Sequence, residues 1–256
     1  MNITPAAQHA MFRHARDMAA KTPPEESVGI LSDGQYIACP NLSVYPEKSF
    51  RLGRDILAQH QPVEAIIHSH PGGNACPSSH DMRQQIASHI PWVVVVVPTA
   101  GKPDIPECWF SWGHPPQLDM LVGYRHGVTD CYGLIRGWFS DKAGVILSDY
   151  PREWEWWHGK ENLYLDHFAD AGFAPISATP EMSAISPSSA IRRGDVFLAA
   201  IRSPVPNHAG IYIGHGLILH HLAGARPADP SRLPRKEPVE RWKRFITTWL
   251  RHPETG

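Results

Sequence analysis

The stretch VEAIIHSHPGGNACPSSHDMRQQIASHIPWVVVVV, Val63 to Val97, carries the pattern that decides the first half of the chain. VEAIIH reads as a strand, DMRQQIASHI suits a helix beginning near His80, and the valine run from Trp92 reads as a buried strand. Strand, helix and strand in alternation predict an α/β unit. Between the first strand and the helix lies HSHPGGNACPSSHD, His68 to Asp81, which gathers three histidines, a cysteine and an aspartate on a segment broken by glycine and proline. It sits at the C-terminal edge of a strand.

Working outward, apolar residues at helical spacing (Ala7, Met11, Ala15, Met18, Ala19) predict a helix from about Pro5 to Lys21, ended by Pro23 and Pro24. SVGIL from Ser27 and QYIAC from Gln35, on either side of Asp33-Gly34, predict a hairpin. A helix is expected near Ser49 to Gln59 and a strand, ECWFSW, at Glu107 to Trp112. The prolines of GHPPQ, Gly113 to Gln117, then break the alternation, which predicts two domains, 1–114 and 117–256. A helical stretch is expected to follow GHPPQ. Beyond it, YRHGVTDCYGLIRGWFSDKAG is a turn entering an amphipathic helix, and a tryptophan-rich segment (Trp154, Trp156, Trp157) leads to ENLYLDHFADAGF. PEMSAISPSSA reads as a loop. Strands come last: DVFLAAI from Asp195, then HAGIYIGHGLILHH from His208 as two strands around Gly214-His215-Gly216. Helices first and antiparallel strands later predict an α+β domain. The terminal RKEPVERWKRFITTWLRHPETG is taken as a last strand with a basic rim, against a docking tail as the alternative.

The totals narrow the function. Lys+Arg 24 against Asp+Glu 25 leave a formal charge of -1 in 256 residues, so no basic field holds nucleic acid or an anionic membrane. The longest apolar run, WVVVVVP, is far short of the roughly 20 residues a membrane span requires. The first residues lack the apolar core of a secretory signal, which predicts a chain made and folded in a reducing cytoplasm. Cys39, Cys76, Cys108 and Cys131 form no CxxC pair and predict neither a disulfide framework nor a cysteine-rich zinc site.

His68 and His70 share a side if the strand runs on through them, because residues two apart face the same way. Asp81, returned by the turn at Pro71, Gly72, Gly73 and Pro77, can complete a His, His, Asp set that suits catalytic zinc with water in the open position. Hydrolysis also needs a base and an oxyanion donor, for which Glu26 and Ser78 are available. A solvated polar turn would account for any two of these residues, but not for the full spacing together with ESVG about forty residues upstream. His-x-His, seven residues, Ser-x-x-Asp, preceded by Glu-x-x-Gly at Glu26 to Gly29, resembles the JAMM motif of MPN-domain metallopeptidases. The resemblance implies a deaminase-like α/β fold and zinc-dependent cleavage of a peptide or isopeptide bond. It implies one zinc on His68, His70 and Asp81, Glu26 as general base, and Ser78 as oxyanion support. Val28, where many members carry cysteine, is a departure that touches no ligand; Cys76 and His80 are taken as bystanders. His60, His89 and His114 are taken as surface or satisfied core histidines.

Cys131 opens a helix that Asp130 can cap, which places a thiol at the positive end of a helix dipole. Alone it would be a small buried hydrophobe, as Cys39 and Cys108 are taken to be. DCYGL from Asp130, RRGDVFL from Arg192 and HAGIYIGHGLILH from His208 together resemble the NlpC family of papain-like cell-wall peptidases. The resemblance implies Cys131 as nucleophile, His208 as base, His220 as the residue orienting it, and Tyr124 as an oxyanion-site tyrosine, with peptidoglycan stem peptides as substrate. Tyr132 stands where serine is common. His221 competes with His220, and only the spacing favours His220. The three tryptophans are read as core and rim packing before sugar stacking.

The order of the two domains resembles a family of tail assembly proteins of lambdoid phages and covers nearly the whole chain. It implies a phage or prophage tail protein, present in the host cytoplasm during assembly and at the virion tail tip, with tail tip proteins, peptidoglycan and a protein substrate of the zinc domain as partners. The alternatives are a non-catalytic structural assembly factor and a bacterial isopeptidase acting on ubiquitin-like modifiers.

Overall fold

The computed structural model describes residues 3–159, 161–176 and 191–255. The loop expected at PEMSAISPSSA lies outside them. The chain divides into two compact units, Met1–His114 and Pro115–Gly256.

In the first unit, α1 (Pro5–Ala19) begins at Thr4, whose side chain accepts from the Ala7 amide, with proline at the first helical position. A five-stranded sheet follows in the order β2-β1-β3-β4-β5: β1 Val28–Ser32, β2 Gln35–Cys39, β3 Val63–Pro71, β4 Trp92–Val97 and β5 Cys108–Trp112. β1 and β2 turn at Asp33-Gly34, both in the left-handed region, as a tight hairpin requires. β3 and β4 are parallel and joined through α3 (Ser79–Ser88). The helical stripe Ala7, Met11, Ala15 and Ala19 packs on Leu31, Ala65, Ile67, Val93, Val95 and Val97. By strand alternation, the even-numbered β3 residues His68 and His70 therefore face away from α1. β4 is buried along its whole length, as expected of a strand covered on both faces. The helix expected from Ser49 is shorter, α2 Arg54–Gln59, because Phe50 and Leu52 ahead of it pack onto Val28 and Ile30.

The second unit has no helix directly after GHPPQ; Leu118 and Met120 instead pack against the core from irregular chain. β6 (Tyr124–Arg125) leads into α4 (Cys131–Ala143), and α5 (Leu163–His167) follows the tryptophan-rich segment. The antiparallel sheet runs β12-β10-β9-β8-β13-β7, with β7 Ala174–Pro175, β8 Val196–Ala199, β9 His208–Gly214, β10 Leu217–His220, β12 Arg235–Pro238 and β13 Ile246–Arg251. β11 (Ala228–Asp229) pairs with β6 alone. The C-terminal segment is thus sheet, with β13 hydrogen-bonded between β8 and β7 rather than trailing as a tail. Leu134, Ile135, Trp138 and Phe139 of α4 cover the face carrying Val196, Leu198, Ala209 and Ile211. Phe197, Tyr212, Ile218 and Trp242 form a separate core on the other face. This is the α+β arrangement expected of the second half. Among the described residues no helix is long and apolar enough to cross a membrane.

Candidate active sites

β3 continues through HSH, so His68 and His70 project from one face of one strand. Their Nε2 atoms are 3.2 Å apart. Asp81 reaches them from the first turn of α3, with carboxylate oxygens 3.6 Å from His68 Nε2 and 3.5 Å from His70 Nε2. Ser78 caps α3 and fixes that carboxylate. The Ser78 amide and hydroxyl donate to Asp81 Oδ2 at 2.8 and 2.7 Å, and the Asp81 amide donates back to Ser78 Oγ at 3.1 Å, a reciprocal capping box. The hydroxyl expected to steady an oxyanion therefore holds the Asp81 carboxylate, and would have to leave it to do anything else.

The β1–β3 ladder brings in the upstream motif. Val28 pairs with His68, and Ser27 and Ser69 bond reciprocally, so Glu26 extends toward His70. Burial pushes the Glu26 carboxyl up to about 7, the neighbouring His70 pulling it down and Asp81 pushing it up. Its neighbour Glu25 turns outward to Lys21 at 2.8 Å.

This donor set suits a cation. Nδ1 of His70 can donate to the Asn74 carbonyl at 3.0 Å, which leaves a lone pair on Nε2 directed at His68 Nε2 and the carboxylate. Two imidazole nitrogens and a carboxylate so placed are all acceptors, and two imidazoles with a carboxylate are a ligand set of catalytic zinc. Among the described residues these three form the one cluster of this kind; Cys76 and His80 do not belong to it. Rather than a hydrogen bond at Nδ1, His68 has aromatic walls: Phe50 stacks on it at 4.6 Å and Trp92 and Trp112 meet it edge-on.

In the second unit Asp130 caps α4, accepting from the amides of Gly133 (2.9 Å) and Gly127 (2.8 Å). Arg152 grips the same carboxylate at 2.7 and 3.0 Å, and Asp149 in turn holds Arg152. Cys131 is thereby fixed at the helix start. Its Sγ lies 3.0 Å from the Tyr164 hydroxyl and bonds the backbone of Ala209, one residue beyond His208. Burial, then the nearby Asp130 charge, push the thiol up to about 11, so it rests as a thiol. His208 hydrogen-bonds His220, Nε2 to Nδ1, at 3.0 Å. No hydrogen bond joins Cys131 directly to His208. The structure brings the thiol to the strand that carries the imidazole, and leaves Nδ1 as the ring nitrogen that His220 does not engage. Burial and the two neighbouring histidines hold His208 well below its ordinary pKa, so it is neutral.

His221 points elsewhere: its Nε2 donates to the Arg232 carbonyl at 2.8 Å and its ring meets Tyr124 edge-on at 5.3 Å. Tyr124, held by the β6–β11 pair, lines a cavity of about 70 Å³ beside Cys131 together with Tyr132, Arg152, Trp156 and Tyr164. Trp156 and Trp157 are in edge contact with each other and Trp154 with Trp157, so these rings pack mutually. Sequence reasoning did not reach Tyr164 or Arg152. Each is brought to the site by tertiary folding, with no motif of its own.

Sequence comparison agrees with this division. The profile of prokaryotic homologs of the JAB domain matches residues 8–112, and that of the NlpC/P60 family matches residues 110–235. The chain is 36% identical over 193 residues to the tail tip assembly protein K of Escherichia phage lambda, covering 74% of this chain and 82% of that protein. The chain belongs to the tail tip assembly protein K family. The corresponding protein of Escherichia phage N15 is 30% identical over 215 residues, 80% of this chain and 82% of its own length. An NlpC/P60 family structure from Bacillus cereus ATCC 10987 overlaps 95% of this chain and 67% of its own at 10% identity, with a TM-score of 0.30. Within the family, the JAB-like and NlpC/P60 regions coincide with the units that hold the His68 cluster and Cys131.

Proposed function

We propose that this phage tail assembly protein is a hydrolase with two centres: a thiol site in the second unit that cuts peptidoglycan stem peptides, and a zinc site in the first that cuts a peptide or isopeptide bond in a protein. What supports this most is that each profile match falls on a unit whose candidate residues converge. In the thiol site Cys131 attacks the scissile carbonyl while Nδ1 of His208 takes its proton. His208 then returns that proton to the leaving amine, and water hydrolyses the thioester. The oxyanion is assigned to the start of α4 and to Tyr124, which lines the same cavity as Cys131.

In the first unit His68, His70 and Asp81 would hold one zinc, which polarises a carbonyl and acidifies water when bound. Glu26, whose carboxyl is pushed up by burial and which extends toward His70, is the group we assign to accept and return the proton. Ser78 keeps Asp81 oriented. Tail tip proteins are the partners proposed in assembly, in the host cytoplasm and then at the virion tail tip. Zinc counting tests the metal half: one equivalent is expected on the wild-type chain and none on His70→Ala. Intact mass after incubation with muropeptides tests the other half. An acyl adduct on Cys131 is expected, and its absence together with absence of turnover would contradict the thiol reading.

A further inference from the structure

The pairing of β9, β10 and β12 places a third group behind the two histidines. His220 pairs with Gly210 on β9, two residues along from His208, and with Arg235 on β12, two residues before Glu237. Directly paired residues share a face, as do residues two apart, so His208, His220 and Glu237 lie on one face of three adjacent strands, stepping diagonally across it. The observed contacts follow that diagonal. His208 Nε2 meets His220 Nδ1 at 3.0 Å, and His220 Nε2 lies 3.6 Å from Glu237 Oε2.

His220 is 1% exposed, and its Nε2 is a buried atom with no hydrogen-bond partner; the Glu237 carboxylate is the acidic group beside it. Glu237 is itself anchored, since the Trp242 indole N–H donates to the same Oε2 at 2.7 Å and the Trp242 ring lies edge-on to His220 at 4.5 Å. Arg235 and His221 are the other charged or titratable groups acting on His220, and both oppose its protonation, as burial does.

We propose that Glu237 is a positioning residue of the thiol site, the terminal acceptor that fixes the tautomers of both histidines. This rests on the reading of Cys131 and His208 given above. With a carboxylate at one end, His220 keeps its proton on Nε2, facing Glu237, and offers the Nδ1 lone pair to His208. His208 must then carry its proton on Nε2 and present a lone pair at Nδ1, the form a base for Cys131 needs. Without Glu237, His220 is free to hold its proton on Nδ1 and donate it to His208 Nε2. The proton of His208 then moves to Nδ1, and the ring can no longer accept from a thiol.

The test uses the full chain and the variants Glu237→Gln, Glu237→Leu and His220→Ala, each checked for folding by circular dichroism. Imidazole tautomers are read from two-bond ¹H–¹⁵N correlations, and Cys131 alkylation by iodoacetamide is followed at neutral pH by mass. Wild type should show both rings protonated at Nε2. Glu237→Leu should move the His220 proton to Nδ1 and slow alkylation about ten- to a hundred-fold, in line with other groups that orient a functional histidine. The isosteric Glu237→Gln, which can present either oxygen or nitrogen, should fall between. Unchanged tautomers with alkylation within two-fold in folded Glu237→Leu or Glu237→Gln, while His220→Ala is slowed, would overturn the role of Glu237 alone. If His220→Ala also reacts at the wild-type rate, the histidine-assisted thiol fails and the proposal fails with it.

Discussion

At the scale of single residues, the second site depends on one close approach and one buried ion pair. A methyl group at Gly210 would lie 2.6 Å from the Leu219 carbonyl and 2.8 Å from His220 Cβ. Gly210→Ala should therefore cost about 1–3 kcal/mol of stability and displace His220, measured as a lower melting temperature with slowed Cys131 alkylation. Arg152→Leu leaves the Asp130 carboxylate buried without its cation, at a cost of about 3–5 kcal/mol. Burial alone would raise the Asp130 carboxyl; the Arg152 charge and hydrogen bonds outweigh it, and the net displacement is downward. A depressed carboxyl stabilises the fold above its unfolded value, about 3.9, and that contribution is lost as pH falls through the folded value. Protection of the α4 amides, relative to their intrinsic exchange rates at each pH, should thus fall below about pH 4 in the wild type, and Arg152→Leu should lack that component. Cys131 and the histidines stand in motifs and were legible in the sequence. Arg152, Tyr164 and Glu237 were not, because each lies 17 or more residues from the group it serves and is delivered by packing or strand register.

At the scale of elements, the cluster of His68, His70 and Asp81 is a property of where a strand ends and a helix begins. β3 runs on into the histidines, and Ser78 caps α3, which begins at Ser79, so that its third residue, Asp81, faces them. The strand–loop–helix order was readable from apolar patterning, and so was the Asp130 cap, which precedes an apolar-periodic run. The capping role of Ser78 was not, because a cap and an oxyanion donor look alike in sequence. Ser78→Ala should remove about 1 kcal/mol of capping and weaken zinc binding roughly ten- to a hundred-fold, with the cluster still able to fill at high zinc. Competition with a chromophoric chelator measures the second effect. The overestimates, a helix from Ser49 and one after GHPPQ, share a cause: Phe50, Leu52, Leu118 and Met120 meet the cores from non-helical chain, and local periodicity cannot register that.

For the whole molecule, two units with separate cores each hold one of the two candidate sites, and a separate chemistry is proposed for each. Binding confined to the first unit should stabilise that unit alone. A chelator should then lower one of two thermal transitions, and His68→Ala should abolish the difference. The boundary expected at the prolines of Gly113 to Gln117 lies beside the division between His114 and Pro115. The central claim, two independent centres of which the thiol one opens peptidoglycan, is tested most directly by digesting purified peptidoglycan with the wild type, Cys131→Ala and Glu26→Ala, identifying released muropeptides by mass and counting zinc on each. Stem-peptide cleavage by the wild type and Glu26→Ala, its loss in Cys131→Ala, and one zinc on all three is the expected result. Zinc on every sample with no cleavage by any of them would contradict the wall-hydrolase assignment.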